Sequence, residues 1–266
     1  MKKVERSVAC ALFLMAALSV PALSFAQSPF DGTWRINMNQ SKISPKPLGF
    51  YLSQGWYHCT TCNPQFDAQA DGQDHAVAGQ SYDTISVKEV DPNTIQVTTK
   101  KGGNVDSEST RAVSANGKTL TVKVTGHPMS GGDPVITEVA ATRVGVAPGG
   151  AHATSGKWKI DKVKQSDNGL LTTYKTNGDE ITMSEPTGET YTAKLDGSDA
   201  PVKGAYSYDT VSLKKINARS IEETDKRGGQ VVDVSTMTVS ADGKKMTIVD
   251  TNKQTDRTST YVATKQ

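Results

Sequence analysis

The chain has 266 residues, of which 35% are hydrophobic and 22% are charged, and its formal net charge is +2. Lys2, Lys3 and Arg6 together with Glu5 account for this excess, so the remainder is electrically neutral. A neutral chain lacks the basic surface that nucleic acids require, so we predict no nucleic-acid partner. The low hydrophobic content argues against an integral membrane protein and favours short, half-exposed strands around a modest core.

The first 26 residues have the three parts of a secretory signal peptide. Basic residues are followed by an apolar stretch from Val8 to Val20, and small residues at Ser24 and Ala26 precede a cleavage point ahead of Gln27. This stretch is too short for a permanent transmembrane helix, although an uncleaved N-terminal anchor is the alternative. We predict a periplasmic or secreted protein that is not integral to a membrane.

Two cysteines remain after the signal peptide, Cys59 and Cys62, separated by two threonines. In an oxidising compartment such a close pair favours a local disulfide bond. Attachment of c-type haem needs a histidine directly after the second cysteine, where Asn63 stands instead. A zinc site that includes His58 is a further alternative, but a structural zinc ion needs four ligands and a second close pair of ligands is missing. We therefore predict a disulfide bond and no metal.

An internal duplication organises the rest of the chain. The segments 82–118 and 208–244 align without a gap at an offset of 126 residues, and 18 of their 37 positions are identical. Weaker matches extend outward, so each copy is long enough to be a domain. A segment rich in glycine and alanine between the copies is typical of a linker. We therefore predict domains at 27–144 and 155–266, joined by a linker at 145–154.

Within each copy, the sequence pattern predicts β-strands. Polar and apolar residues alternate in Thr84–Lys88 and in Thr210–Ile216, as in strands with one buried face. Turn sequences such as Asn116-Gly117 and Asp242-Gly243 separate the strands and suit tight hairpins. We predict an all-β protein with two tandem antiparallel up-and-down β-barrels of about 8–10 short strands each, because closure removes exposed strand edges.

The copies share a further feature at their ends. Each opens with Gly-x-Trp, ending at Trp34 or Trp158, and each finishes on a strand with a cation, Arg143 or Lys265. This arrangement resembles the calycins, the group that includes lipocalins and fatty-acid-binding proteins, and the hairpin around 240–249 resembles that of exported bacterial lipocalin-like repeats. The resemblance implies that each tryptophan closes a barrel floor beneath a cation, pairing Trp34 with Arg143 and Trp158 with Lys265. The alternative is ordinary core packing of both tryptophans.

The first functional hypothesis is a binding protein in which each barrel holds a small, mostly apolar ligand. It predicts an apolar inner face lined by Trp34, Phe66, Trp158 and Tyr191. The alternative is a structural or protein-interaction module of the cell envelope, with barrels filled by their own side chains. The ligand and any protein partner are not identified by the sequence.

Enzymatic function is the least favoured hypothesis. None of the four histidines, His58, His75, His127 and His152, recurs at the matching position of the other copy. No nucleophile–base pair or phosphate-binding loop motif is present, so we predict neither catalytic residues nor a cofactor. Asp83 recurs as Asp209, and a role in a turn at the start of a strand is favoured over a ligand-binding carboxylate.

Overall fold

The computed structural model describes residues 28–266, so the predicted signal peptide at 1–26 lies outside the described residues. The first ten strands are β1 (Gly32–Ile36), β2 (Leu48–Ser53), β3 (Trp56–Cys59), β4 (Phe66–Gln69), β5 (His75–Ala76), β6 (Thr84–Asp91), β7 (Thr94–Lys101), β8 (Asn104–Val113), β9 (Thr119–Gly126) and β10 (Val135–Val144). The second ten are β11 (Gly156–Gln165), β12 (Leu171–Asn177), β13 (Glu180–Ser184), β14 (Thr190–Lys194), β15 (Asp196–Lys203), β16 (Thr210–Asn217), β17 (Ser220–Arg227), β18 (Gln230–Val239), β19 (Lys245–Asn252) and β20 (Arg257–Lys265). One short 3-10 turn, Asp167–Gly169, links β11 to β12. The predicted all-β fold with two antiparallel up-and-down barrels is confirmed: each sheet has ten strands, and one forms a closed barrel while the other is barrel-like and open between β4 and β5.

The hairpins form where the sequence predicts them. In β6, Ile85 and Val87 are buried whereas Ser86 between them is only half-buried, which is the alternation expected of a strand with one buried face. The carboxylate of Asp83 accepts a hydrogen bond from the backbone N–H of Gly102, 2.8 Å away. Asp209 does the same for Gly228 at 2.8 Å. These two aspartates therefore hold a neighbouring hairpin turn.

The two barrels exchange their first strands. Strand β1 pairs with β12 and β20, which belong to the second copy. Strand β11, the first of the second copy, pairs with β10 and β2. We call the sheet formed by β2–β11 barrel I and the sheet formed by β1 with β12–β20 barrel II. The boundary predicted between two self-contained domains therefore needs a correction, because each barrel includes one strand of the other copy.

The predicted pairs of tryptophan and cation are wrong for the same reason. Arg143 lies over the ring of Trp158, 4.1 Å from its centroid, and Lys265 lies 5.2 Å from the ring of Trp34. Strands β10 and β11 are consecutive and form a hairpin in which Arg143 stands directly opposite Trp158. Neighbouring antiparallel strands commonly pair in this way. The expected cation–π contact exists in both barrels, with the partners exchanged.

The segment predicted as a linker, 145–154, is the connection of this hairpin. Its last residue, Thr154, and the adjoining Ser155 are both fully buried. The Ser155 hydroxyl accepts a hydrogen bond from the backbone N–H of Leu52 at 2.9 Å. The guanidinium of Arg143 donates to the backbone carbonyls of Ala153 and Ser155. The end of this segment is therefore anchored in barrel I.

Each barrel has its own apolar core at the tryptophan end. The indole N–H of Trp158 donates to the carbonyl of Thr154 at 2.9 Å, and that of Trp34 donates to Phe30 at 2.7 Å. Both tryptophans are buried, as a large aromatic side chain at a barrel floor requires. The largest fully buried companions are Leu52, Ile85 and Ile95 in barrel I and Ile181, Leu213, Ile221 and Met246 in barrel II.

Candidate ligand-binding cavity

A cavity of about 540 Å³ occupies the interior of barrel I above this floor. Trp158, Leu120 and Ala141 form part of its lower surface. Its apolar walls are Ile85, Val97, Val122, Val124, Val139 and Ile160. This volume lies within the range of about 300–1,000 Å³ that is typical of small-molecule sites. The interior of barrel I therefore has both the space and the apolar lining of a ligand cavity.

Arg111 places a positive charge inside this cavity. Strand β8 directs it inward because Ser109 and Val113, two residues away on either side, are buried. The guanidinium carbon lies 5.0 Å from the ring centroid of Phe50 and 5.8 Å from that of Tyr57. One guanidinium N–H donates to the Tyr57 hydroxyl at 2.9 Å. Within residues 28–266, Arg111 takes part in no salt bridge, so its charge has no protein counter-ion there.

Four aromatic rings surround the polar side of the cavity. Phe50 stacks on Tyr57 with 5.7 Å between centroids, Tyr57 lies 6.4 Å from Phe66, and Phe66 contacts Tyr82 edge-on at 6.3 Å. Phe50, Tyr57 and Tyr82 line the cavity, whereas Phe66 supports them from behind. Burial raises the pKa of the Tyr82 hydroxyl well above its ordinary value, so this hydroxyl stays protonated and can donate a hydrogen bond.

Polar side chains line the upper part of the cavity. The hydroxyl of Thr99 donates to the carboxylate of Asp106 at 3.0 Å and lies 2.9 Å from the hydroxyl of Ser107. Burial raises the pKa of Asp106 above its ordinary value. The cavity therefore has a cationic group near its floor, apolar walls, and hydroxyl and carboxyl groups towards its mouth.

Three chain segments meet at the mouth. The β3–β4 loop contributes Thr61 to Asn63, the β5–β6 loop contributes Gln80 and Ser81, and the β19–β20 hairpin of barrel II contributes Asn252, Gln254 and Thr255. The site is therefore built from both barrels.

The predicted disulfide bond lies at this mouth. Cys59 and Cys62 are bonded, with their Cα atoms 5.5 Å apart, and both residues line the cavity. His58, which the zinc alternative requires, has its ring nitrogen 2.6 Å from the carboxylate of Asp67. Over residues 28–266, no group of three or more His, Cys, Asp or Glu side chains is arranged to hold a metal ion.

Barrel II has a different interior at the equivalent positions. At the offset of 126 residues, Arg111 aligns with Met237, and the neutral residues Val97, Thr99 and Ser107 align with Glu223, Asp225 and Asp233. Val124 and Asp250 are equivalent because each pairs with the matching serine, Ser109 or Ser235, of the preceding strand. Four carboxyl groups in barrel II thus replace uncharged side chains of barrel I.

The carboxyl groups of barrel II are held in a weakly solvated region. The Tyr191 hydroxyl donates to the carboxylate of Glu223 at 2.5 Å. Burial raises the pKa of Glu223 and of Asp225, and neighbouring carboxylates raise both further. Burial likewise raises the pKa of Asp233 to about 6 and that of Glu185 to about 7. One carboxylate oxygen of Asp225 is buried without a hydrogen-bond partner among the described residues.

The structure divides the four predicted ligand-binding residues between the barrels. Trp158 lines the cavity and Phe66 supports its aromatic wall. Trp34 and Tyr191 belong to the core of barrel II. Sequence reasoning missed Arg111, although an arginine at an inward position of an alternating strand, where the other copy has methionine, was a usable signal.

Comparison with models of known protein families, with curated proteins and with solved structures finds no significant match to this chain. The fold and the cavity therefore carry the functional argument. Among residues 28–266, no helix is long and apolar enough to cross a membrane.

Proposed function

We propose that this protein is an exported, calycin-like binding protein whose barrel I holds a small molecule with an apolar body and an anionic group. The observation that carries the proposal is the Arg111 guanidinium, which faces a largely apolar cavity of about 540 Å³. The guanidinium is half-buried and has no counter-ion among residues 28–266, and an anionic ligand group would supply one through charge-assisted hydrogen bonds. No catalytic step is part of the proposal.

Export is supported by two features of the chain. The N-terminal residues have the order of a signal peptide, basic then apolar then small. The bond between Cys59 and Cys62 favours an oxidising compartment, because cytosolic proteins seldom keep disulfide bonds. We therefore assign the binding activity to the periplasm or the extracellular space.

The proposal assigns the ligand to barrel I alone. In barrel II, Met237 replaces the arginine, and the carboxyl groups of Glu223, Asp225, Asp233 and Asp250 give an anion no positive partner. Both barrels share the buried tryptophan floor, so the assignment rests on these different interiors, and we propose a structural role for barrel II. In this respect barrel II matches the alternative hypothesis of a structural module of the cell envelope.

The test is displacement of a fluorescent anionic probe, anilinonaphthalene sulfonate, by three matched ten-carbon competitors. We expect decanoate to displace the probe, decanol to displace it weakly, and decylamine to be the least effective. Arg111→Met, which copies the residue of barrel II, should weaken decanoate binding by about 10- to 100-fold, as expected for loss of a charge-assisted hydrogen bond. Met237→Leu, a neutral change at the matching position of barrel II, is the control and should leave binding unchanged. Equal affinity of wild type and Arg111→Met for decanoate would contradict the proposal.

A further inference from the structure

The sheet of barrel I has a gap at the mouth of the cavity. In barrel II, Tyr191 pairs with Val202, which joins β14 to β15. Phe66 is the equivalent of Tyr191 because Phe66-Asp67-Ala68 aligns with Tyr191-Thr192-Ala193 at an offset of 125 residues. Val77 is the equivalent of Val202 because each donates its backbone N–H to the carbonyl of the matching aspartate, Asp83 or Asp209. No strand pairing joins β4 to β5 within the described residues. The segment that follows β4 is joined to β6 instead, by an isolated bridge between Asp71 and Lys88 and by a backbone hydrogen bond from Gly72 to Val87 at 2.8 Å. The two barrels therefore differ in closure at the same point of the fold.

The local sequence explains the gap. Pro64 precedes β4 and packs against Gly79, where an added Cβ would come within 2.5 Å of the proline ring. Proline has no backbone N–H and so cannot extend the hydrogen-bonded ladder between the two strands. The side-chain amide of Gln80 donates instead to the carbonyl of Pro64 at 2.8 Å. One side-chain hydrogen bond thus stands where barrel II has a pair of strands.

Barrel II covers this gap with two side chains. Arg227 donates to the carbonyl of Gly79 at 3.0 Å, and the Gln254 amide reaches the same carbonyl at 3.5 Å. The Asn63 amide donates to the backbone carbonyl of Gln254 at 2.7 Å. Both loops that flank the gap are therefore tied to barrel II, through groups that remain partly or fully exposed to solvent.

We infer that the gap between the β3–β4 and β5–β6 loops is the portal of the barrel I cavity, and that Arg227 and Gln254 of barrel II hold it closed. The inference rests on the proposed function, because a portal needs a ligand that passes through it. In this arrangement, barrel II controls access to a ligand site that lies in barrel I. Side-chain hydrogen bonds of this kind break far more readily than a strand pair, which suits a gate.

The test measures association and dissociation rates of anilinonaphthalene sulfonate by stopped-flow fluorescence. In Arg227→Ala with Gln254→Ala, we expect both rates to rise by about 3- to 10-fold, because each exposed hydrogen bond is worth only a small factor. In the single variant Arg227→Ala, the equilibrium dissociation constant should change by less than about 2-fold, because Arg227 does not line the cavity and a gate alters both directions equally. Hydrogen exchange of the amides at 60–65 and 77–82 should become faster in the same variant without any probe.

Lys101→Ala is the matched control. Lys101 aligns with Arg227 at the offset of 126 residues, and its side chain makes no hydrogen bond or salt bridge with residues 28–266. Lys101→Ala removes the same charge but no hydrogen bond between the two barrels, so the rates of this variant should remain those of the wild type. Equal acceleration in both variants would show a simple charge effect on an anionic probe and would overturn the gate.

The remaining outcomes separate the gate from the proposed function. Unchanged rates and unchanged hydrogen exchange in the double variant would overturn the gate alone, provided that Arg111→Met still weakens binding. A change in dissociation rate only would assign Arg227 and Gln254 to ligand contact and would also overturn the gate. Absence of probe binding to the wild type, or equal binding to Arg111→Met, would remove the proposed function and the gate with it.

Discussion

Barrels I and II have the same order of ten strands, and each has a buried tryptophan covered by a cation. Their interiors differ in the charged side chains that they contain. Barrel I has one arginine and an apolar cavity, whereas barrel II has four carboxyl groups at positions that are neutral in barrel I. The shared features lie at the floor, where packing defines the fold. The differences lie in the upper half, where alternating strands allow inward side chains to vary without changing the backbone.

This contrast separates the residues that form the fold from those available for function. A duplicated domain needs its floor in both copies, so Trp34 and Trp158 have the same environment. Only one copy needs a binding site. The other copy is then free to accumulate charged residues inside, provided that their raised pKa values keep enough of them neutral.

The largest expected effect tests the strand exchange itself. Trp158→Ala should destabilise barrel I by about 3–5 kcal/mol, the usual cost of removing a buried tryptophan, and should abolish probe binding because Trp158 lines the cavity. Trp34→Ala should have a similar cost in barrel II and leave binding in barrel I intact. Calorimetry and probe fluorescence measure the two effects. If Trp34→Ala abolished binding and Trp158→Ala did not, the strands would be unexchanged.

The comparison also shows how far the sequence could predict the molecule. Alternation and turn residues determine hairpins locally, so β6 and its counterpart β16 lie where the pattern predicts them. Both tryptophans carry the same Gly-x-Trp sequence, so nothing local indicates which barrel each one enters. That choice depends on long-range pairing, and this is why the cations were assigned to the wrong rings.

The cavity was harder to predict than the fold. An inward direction for Arg111 follows only once the register of β8 is known, because a shift of one residue reverses every side chain. The carboxyl groups of barrel II were visible as differences between the copies, but their burial was not. The disulfide bond between Cys59 and Cys62 was predicted from spacing and compartment, and its place at the cavity mouth required the structure.

A smaller effect concerns the pH dependence of barrel II. Glu185 and Asp233 have folded-state pKa values of about 7 and about 6, above the ordinary values near 4 of an unfolded chain. Between about pH 4 and about pH 7, the folded state therefore binds more protons at these two groups than the unfolded state does. The stability of barrel II should therefore fall as pH rises from about 4 to about 7, whereas barrel I should change less. Calorimetry across this pH range measures both transitions, and a rise in barrel II stability with pH would contradict the assignment.

Asp225→Thr sharpens the same comparison by copying Thr99 of barrel I. It removes a carboxyl group of which one buried oxygen has no hydrogen-bond partner among the described residues, so barrel II should gain about 1–3 kcal/mol. The slope of its stability with pH should also become smaller. Asp179→Asn, at an exposed site of the same barrel, is the control and should change little. Loss of stability in Asp225→Thr would mean that the carboxyl group has a stabilising partner.

The smallest effect concerns the cations at the two floors. Arg143 stacks on Trp158 at 4.1 Å and also donates hydrogen bonds to three backbone carbonyls, those of Gly117, Ala153 and Ser155. Lys265 lies 5.2 Å from the ring of Trp34. A guanidinium is planar and more weakly hydrated than an ammonium group, so it stacks better on an indole ring. Lys265→Arg should therefore stabilise barrel II by about 0.5–1 kcal/mol, and Arg143→Lys should destabilise barrel I by more, because hydrogen bonds are lost as well. Paired calorimetric scans of the two variants measure the difference. The Lys265 side chain packs closely on Gly32, since a Cβ added to this glycine would lie 2.8 Å from it. A larger loss of stability in Lys265→Arg than in Arg143→Lys would mean that this narrow space fits lysine better than arginine.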